Sequence, residues 1–194
     1  MGKLKLAVLI SGRGSNLQSI IDACADPEFP AQIEIVISNK PDAYGLTRAE
    51  KAGIKTSIVS HKDYTTREAF EDALQNVLDT FPIDLICLAG FMRVLTEDFV
   101  NRWDGRMINI HPSLLPKFKG LNTHERAIDA GEKESGCTIH FVIPDMDEGP
   151  IILQRKVSIE TGETAQSLAE KVLIAEHEAY PEAIRLLSSR LLKS

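Results

Sequence analysis

The sequence predicts an α/β fold in which a doubly wound, mostly parallel sheet carries an antiparallel addition near the C-terminal end. Short and nearly continuous apolar runs alternate with stretches that have the spacing of amphipathic helices, which is typical of strands covered by helices on both faces. After Gly131 the alternation of strands and helices stops, and two strand-like runs follow one another without an intervening helix. Ligands of such folds bind at the carboxyl ends of the strands.

Each element is predicted from its apolar spacing. Apolar runs of strand length predict buried strands at residues 6–10, 33–37, 56–59, 83–88 and 107–110. Apolar residues that recur every three or four positions predict helices at residues 15–25, 43–52, 66–80, 123–130 and 164–192. The runs 137–143 and 152–159, joined by the acidic loop 144–150, predict a hairpin or an antiparallel pair.

The composition predicts one domain in the cytoplasm. A length of 194 residues suits a single domain over 1–194, with an N-terminal half at about 1–100 and a C-terminal half at about 101–194. Hydrophobic residues make up 43% of the chain, and no apolar run approaches the length of about 18 residues that spans a bilayer. The N-terminus leads into a strand without a small-residue cleavage site, so we expect a cytoplasmic protein with no membrane partner.

The net charge argues against nucleic-acid binding, and the spacing of the cysteines and histidines argues against a metal site. The net charge of -6 argues against general affinity for nucleic acid, so an anionic substrate must meet local positive sites. The three cysteines and five histidines lack the spacing of a zinc site, and we expect no metal. His140, between apolar neighbours, is expected to be a hydrogen-bonded structural histidine.

A glycine-rich loop follows the first strand and opens the first helix, as Ser-Gly-Arg-Gly-Ser-Asn at residues 11–16. Free backbone N–H groups at such a helix start favour an anion, although a tight turn with no ligand would have the same pattern. The dinucleotide fingerprint fails, because Leu17 replaces its third glycine and Ser38-Asn39 replaces the acid after the second strand. A Walker sequence is also missing, so a single phosphate is the best prediction.

Asn109 and His111 stand one residue apart at the end of the fifth strand, where they project from the same face. Pro112 biases His111 toward an extended backbone, which presents the imidazole at the rim of the sheet. An amide donor beside an imidazole can polarise a carbonyl and move a proton, although a lone histidine at a strand end more often has a packing role. The pair predicts acyl-type chemistry.

Three motifs together resemble the folate-dependent formyltransferases, and within them the branch that acts on glycinamide ribonucleotide. They are Asn-x-His-Pro-Ser-Leu-Leu-Pro at 109–116, the glycine loop at 11–16 and Asp-x-Gly-Pro at 147–150. The resemblance extends from about residue 5 to about residue 185. It implies transfer of formyl from the cosubstrate 10-formyltetrahydrofolate to the amine of glycinamide ribonucleotide in purine synthesis. The resemblance does not decide whether the protein forms a homodimer.

The resemblance assigns roles to individual residues. The oxyanion of the tetrahedral species would accept a hydrogen bond from Asn109, and His111 would donate a proton. Asp147 would keep His111 protonated by charge pairing and order a water, with Asp145 and Glu148 as weaker substitutes. Read alone, Asp147 is equally well explained as part of an ordinary acidic turn.

Binding residues are carried over in the same way. The resemblance assigns the ribonucleotide phosphate to Gly14, Ser15 and Asn16, and the substrate amine or ribose to Glu176, which alone would read as a helix-surface acid. It assigns the folate to Arg67, Met92, Arg93, Val94, Leu95 and Asn109. Two residues depart from the family pattern: Arg13 replaces a shorter polar residue, and Lys119 stands where proline is frequent.

Three alternatives stay open at this level. Hydrolysis of the formylated folate would use the same groups with water in place of the amine. Other folate-dependent formyltransferases share Asn-x-His, but a tRNA-directed relative would need a further basic domain and the hydrolase a further regulatory domain, neither of which we expect here. A non-catalytic ligand sensor could retain the fold and the phosphate loop.

Overall fold

A seven-stranded sheet forms the centre of the molecule in a computed structural model, which describes residues 2–192. The strands are β1 (Leu4–Ile10), β2 (Ala31–Ser38), β3 (Thr56–Ile58), β4 (Leu85–Leu88), β5 (Met107–His111), β6 (Glu134–Phe141) and β7 (Ile151–Ser158). The helices are α1 (Ser15–Cys24), α2 (Tyr44–Lys51), α3 (Arg67–Leu78), α4 (Glu97–Arg102), α5 (Thr123–Asp129) and α6 (Ala165–Leu191). A 3-10 turn at His61–Asp63 precedes α3.

The strand order is β3-β2-β1-β4-β5-β6-β7. The first five strands pair in parallel, whereas β6 is antiparallel to β5 and β7 is antiparallel to β6. The predicted fold class, including the antiparallel addition, is therefore confirmed. The chain moves outward from β1 to β3 and then returns to β4 on the other side of β1. Such a switch point opens a crevice between the carboxyl ends of β1 and β4.

Both faces of the central strands are buried, which explains why these strands are nearly continuously apolar. On one face, Leu6 and Val8 of β1 belong to a core shared with α1, α2 and α6. On the other face, Ala7 and Leu9 belong to a core shared with α3 and α4. All four of these β1 side chains are 0% exposed, so the alternation of a half-buried strand is absent.

Among the differences from the sequence prediction are two strand starts and one additional helix. β4 starts at Leu85 instead of residue 83, because the N–H of Ile83 bonds within a turn to the carbonyl of Phe81. β6 starts earlier than predicted, since polar Glu134 pairs across the ladder with Ser158. Helix α4 was not predicted at all, although Thr96 caps its start by accepting from the N–H of Phe99.

The long helix α6 has Thr164 as its N-cap, which forms a capping box with Ser167 in the first turn, and the helix continues through Pro181. Its Tyr180 is fully buried and donates to the carbonyl of Leu88 at 2.9 Å, which fixes the helix beneath the end of β4. Within residues 2–192, no helix combines the length and the apolar character that a membrane span requires. The division into an N-terminal and a C-terminal half stays a prediction.

Candidate active site

The glycine loop lies at the carboxyl edge of the sheet and is held in place by α2. Gly14 has a φ of 71° and is the N-cap of α1, and a side chain there would stand 2.6 Å from the Cα of Gly45. The N–H of Gly45 donates to the carbonyl of Gly12 at 3.0 Å, and Arg48 Nε donates to the carbonyl of Arg13 at 2.8 Å. The loop is thus rigid, and the first N–H groups of α1 remain available for an anion.

Asn16 and Glu176 connect this loop to α6. Asn16 Nδ2 donates to Glu176 Oε2 at 2.9 Å, whereas Asn16 Oδ1 is buried and has no hydrogen-bond partner among residues 2–192. Glu176 is only 7% exposed, which contradicts the interpretation as a helix-surface acid. Burial raises the pKa of Glu176 to about 7, although the bond from Asn16 lowers it. The pair can therefore bind hydroxyl or amine hydrogens.

Asn109 and His111 lie on one face of β5, as predicted from their spacing. His111 is 6% exposed, and its Nε2 lies 2.9 Å from the carbonyl oxygen of Phe118. Its Nδ1 lies 3.5 Å from Asp147 Oδ2. The structure therefore brings His111 and the carboxylate of Asp147 together, with Asn109 beside them on the same strand face.

Asp147 reaches this position because the loop after β6 folds back over the sheet. Its φ is 56°, a left-handed conformation that is uncommon outside glycine. Gly120 donates its N–H to Asp147 Oδ2 at 2.9 Å. At Gly149 a side chain would come within 1.7 Å of the Phe141 carbonyl oxygen, so the fold of the loop requires glycine there. The other two acids near Asp147 in this loop, Asp145 and Glu148, are exposed.

His140 is a member of this cluster that sequence reasoning missed. Its Nδ1 lies 2.9 Å from the Phe141 carbonyl oxygen, which agrees with a hydrogen-bonded structural histidine, but its Nε2 lies 3.8 Å from Asp147 Oδ1. Burial lowers the pKa of His140, against the opposing effects of Phe141 and Asp147. The register that pairs His140 with Asn109 across β5 and β6 places it here, and the sequence does not reveal that register.

A third imidazole, His124 in α5, lies near His111. Burial lowers the pKa of His124, and the charge of His111 lowers it further. Its Nδ1 is buried without a hydrogen-bond partner in the described part of the chain. The Asp147 carboxylate thus faces His111 and His140, of which His111 lies closer, and His124 adds a further imidazole that interacts with His111.

The segment between β5 and α5 covers this cluster. Phe118 and Asn122 both have a φ of 56°. Arg126 Nη1 donates to the carbonyls of Lys119 at 2.6 Å and Leu121 at 3.1 Å. Lys119, one of the departures from the family pattern, forms an ion pair with Glu148 and so links this segment to the loop that carries Asp147.

The segment after β4 lies across the crevice from the glycine loop. Met92 and Val94 are 68% and 55% exposed, and the N–H of Met92 donates to Ser11 Oγ at 2.7 Å. Arg93 Nε is buried and has no hydrogen-bond partner among the residues that the structure describes. Arg67 is exposed at the first position of α3. Exposed apolar side chains and an unpaired guanidinium donor suit a flat ligand that carries an anionic group.

No group of three His, Cys, Asp or Glu side chains within residues 2–192 could hold a metal ion.

Known proteins of one family are similar to this chain over nearly its whole length. Residues 4–184 match the family model described as formyl transferase. The chain is 53% identical over 187 residues to the trifunctional purine biosynthetic protein adenosine-3 of Bos taurus, covering 96% of this chain but only 18% of that protein. It is 44% identical to the phosphoribosylglycinamide formyltransferase of Escherichia coli strain K12, covering 98% of this chain and 90% of that protein.

A solved structure extends the agreement to the whole fold. The crystal structure of phosphoribosylglycinamide formyltransferase from Brucella melitensis superposes with a TM-score of 0.93 at 48% identity, covering 96% of each chain. Since the family model spans nearly all of the described residues and the fold follows this neighbour throughout, the chain belongs to the formyl transferase family.

Proposed function

We propose that this chain transfers the formyl group of 10-formyltetrahydrofolate to the amine of glycinamide ribonucleotide, a step of purine biosynthesis. The observation that supports it most directly is the convergence of Asn109, His111 and Asp147 at the sheet edge that also holds the glycine loop. The names of the relatives in Escherichia coli and Brucella melitensis support the same activity.

In this proposal the ribonucleotide binds along the glycine loop. The N–H groups of Gly14, Ser15 and Asn16 receive the phosphate, because they lie at the positive end of the α1 dipole. Asn16 Oδ1 and Glu176 then accept hydrogen bonds from the ribose or the amine, which would satisfy an acceptor that is otherwise buried and unpaired.

The formyl folate binds at the segment after β4. Met92, Val94 and Leu95 contribute apolar contact and backbone groups to the flat ring, and Asn109 faces the formyl oxygen. Arg93 and Arg67 supply donors for a carbonyl or carboxylate of the folate, which would give the unpaired Nε of Arg93 a partner. The folate is thus a cosubstrate held by this chain's own side chains.

The reaction is a direct attack of the amine on the formyl carbon, and it passes through a tetrahedral intermediate. The lone pair of the amine nitrogen forms a bond to that carbon, the π electrons of the formyl C=O bond move onto its oxygen, and Asn109 donates a hydrogen bond to the resulting oxyanion. When the oxyanion collapses, the bond from carbon to the folate nitrogen breaks, and that nitrogen takes up the proton that the amine loses. His111 and a water near Asp147 carry the proton, since Asp147 stabilises the charged imidazole.

A paired-substrate assay tests this proposal. The purified chain receives both 10-formyltetrahydrofolate and glycinamide ribonucleotide, and we expect formylated ribonucleotide and free folate in equal amounts. Omitting the ribonucleotide is the control, and it should abolish folate release. Release of formate without the ribonucleotide would identify a hydrolase, and binding of both compounds without any product would identify a ligand sensor. A cytoplasmic location and the lack of nucleic-acid and membrane partners remain predictions from the sequence.

A further inference from the structure

Ser11 joins the two binding segments of the site. It follows β1 directly, it precedes Gly12, and it is only 5% exposed. Its Oγ accepts the N–H of Met92 at 2.7 Å and donates to Asn39 Oδ1 at 2.5 Å. A serine hydroxyl has one proton and can accept from other donors, so both of these bonds are made at once.

Asn39 extends the connection to a third strand end. It follows β2, is 2% exposed, and has its Nδ2 at 3.1 Å from His61 Nδ1 in the 3-10 turn. This is the place where a dinucleotide-binding fold carries an acid for a ribose. In this chain the side chain bonds inward to Ser11, which explains the departure from that fingerprint.

We propose that Ser11 is a positioning residue that fixes the folate-binding segment at residues 91–95 relative to the glycine loop, with Asn39 orienting its hydroxyl. The inference rests on the proposed function, since it concerns the distance between the two substrates. Reacting atoms must approach to about 3–3.5 Å, and a misplacement of about 1 Å can cost roughly a hundredfold in rate. The hydrogen bond from Met92 crosses the switch point between β1 and β4, where the two proposed binding segments adjoin.

The two segments depend on Ser11 to different extents. The glycine loop has its own support in Gly45 and Arg48 of α2. Within the folate-binding segment the bond from Met92 to Ser11 is the anchor to the glycine loop. The flanks of the segment are held separately, by the bond from the N–H of Ala89 to the carbonyl of Leu9 and by the bond from the N–H of Thr96 to Glu71 Oε1 at 2.7 Å. Loss of the hydroxyl should therefore disturb the folate more than the ribonucleotide.

Kinetics of Ser11→Ala test this asymmetry. We expect the KM for 10-formyltetrahydrofolate to rise about tenfold, because the N–H of Met92 and the buried amide oxygen of Asn39 lose their partner, while the KM for glycinamide ribonucleotide changes by less than about threefold. Asn39→Ala should have a smaller effect in the same direction, and the double variant should be no worse than Ser11→Ala, as expected for residues that act as one unit. Ser188→Ala is the control, since it removes another buried hydroxyl far along α6 and should leave both KM values unchanged.

Hydrogen exchange provides a readout that needs no substrate. In the unliganded protein the amide of Met92 should exchange at least tenfold faster in Ser11→Ala than in the wild type, while the amides of β1 keep their protection. Equal rises in both KM values, or unchanged exchange at Met92, would overturn the positioning role. Absence of formylated product in the wild type would refute the proposed function instead, and the exchange experiment would still decide the role of Ser11.

Discussion

The glycine loop and the cluster around Asp147 hold ligands at the same sheet edge by different means. In the glycine loop the left-handed residue is Gly14, and the groups offered to a ligand are mostly backbone N–H groups. In the cluster and the segment that covers it, the left-handed residues other than glycine are Phe118, Asn122 and Asp147, and the groups offered are side chains. An anion can be bound by a backbone that glycine shapes without strain, whereas proton transfer needs a carboxylate and an imidazole at fixed positions.

The backbone of the glycine loop is therefore allowed by its own residue types, whereas the backbone around Asp147 needs contacts with other segments to keep its conformation. A non-glycine residue in the left-handed region costs on the order of 1 kcal/mol, and such residues collect at functional sites. At Asp147 the fold supplies compensation through the N–H of Gly120 and the two histidines. Variants that separate charge from backbone strain can therefore test each region.

The largest effect is expected for Asp147→Asn. Asparagine tolerates a positive φ, so the loop should keep its fold while the negative charge beside His111 is lost. We expect the rate of formyl transfer to fall by about a hundredfold or more, with the melting temperature little changed. Steady-state kinetics and thermal unfolding measure both. The matched control is Asp145→Asn, an exposed acid of the same loop, and an equal loss in that variant would argue against a specific role of Asp147.

In the glycine loop, Gly14→Ala should lower the stability by about 2–5 kcal/mol and raise the KM for the ribonucleotide at least tenfold. Its Cβ would meet the Cα of Gly45 at 2.6 Å in addition to the strain of a φ of 71°. Gly53→Ala is a matched control, because Gly53 has the same φ with nothing within 4 Å of the added Cβ. If both variants lost the same stability and neither changed KM, the close contact between Gly14 and α2 would contribute neither to stability nor to ribonucleotide binding.

Between the two regions, Glu176 should make stability depend on pH. Its pKa is raised from 4.5 to about 7 in the folded protein, so from pH 4.5 upward the folded state retains a proton that the unfolded state releases. The stabilising contribution is complete below pH 4.5 and is lost as the pH rises through 7. Relative to the wild type, Glu176→Gln should gain up to about 3 kcal/mol between pH 4.5 and pH 8, as measured by urea unfolding. A constant difference at all pH values would show that the carboxyl is not buried as described.

The smallest effect is expected at Asn122, an exposed N-cap of α5 with a φ of 56°. Asn122→Ala should cost about 1 kcal/mol because alanine tolerates this backbone poorly, whereas Asn122→Gly should stay within a few tenths of a kcal/mol. Chemical denaturation of both variants measures this difference. Equal stabilities would show that the covering segment relaxes to an unstrained backbone.

The features that could be predicted from the sequence are those that depend on neighbouring residues in the chain. The strands followed from apolar runs, and the loop at residues 11–16 followed from its glycines. Helix α4 was missed although its signal was present, since Thr96 is a good N-cap and Glu97 and Asp98 suit a first turn. A helix of six residues is too short to show periodicity.

What the sequence could not predict depends on contacts between distant segments. His140 enters the cluster through its register with Asn109, and Glu176 is buried because Asn16 lies above it 160 residues earlier in the chain. Nor does any local pattern show that Ser11 accepts the N–H of Met92 across the crevice. These placements follow from the order of the strands, and no local pattern in the sequence reveals that order.

The most direct test of the proposed chemistry is the single-turnover rate of the double variant His111→Ala/Asp147→Asn with both substrates saturating. If the imidazole and the carboxylate act as one unit, as their 3.5 Å separation indicates, the double variant should be within about tenfold of His111→Ala alone. A loss equal to the product of the two single losses would mean that the residues act independently, and it would contradict the account.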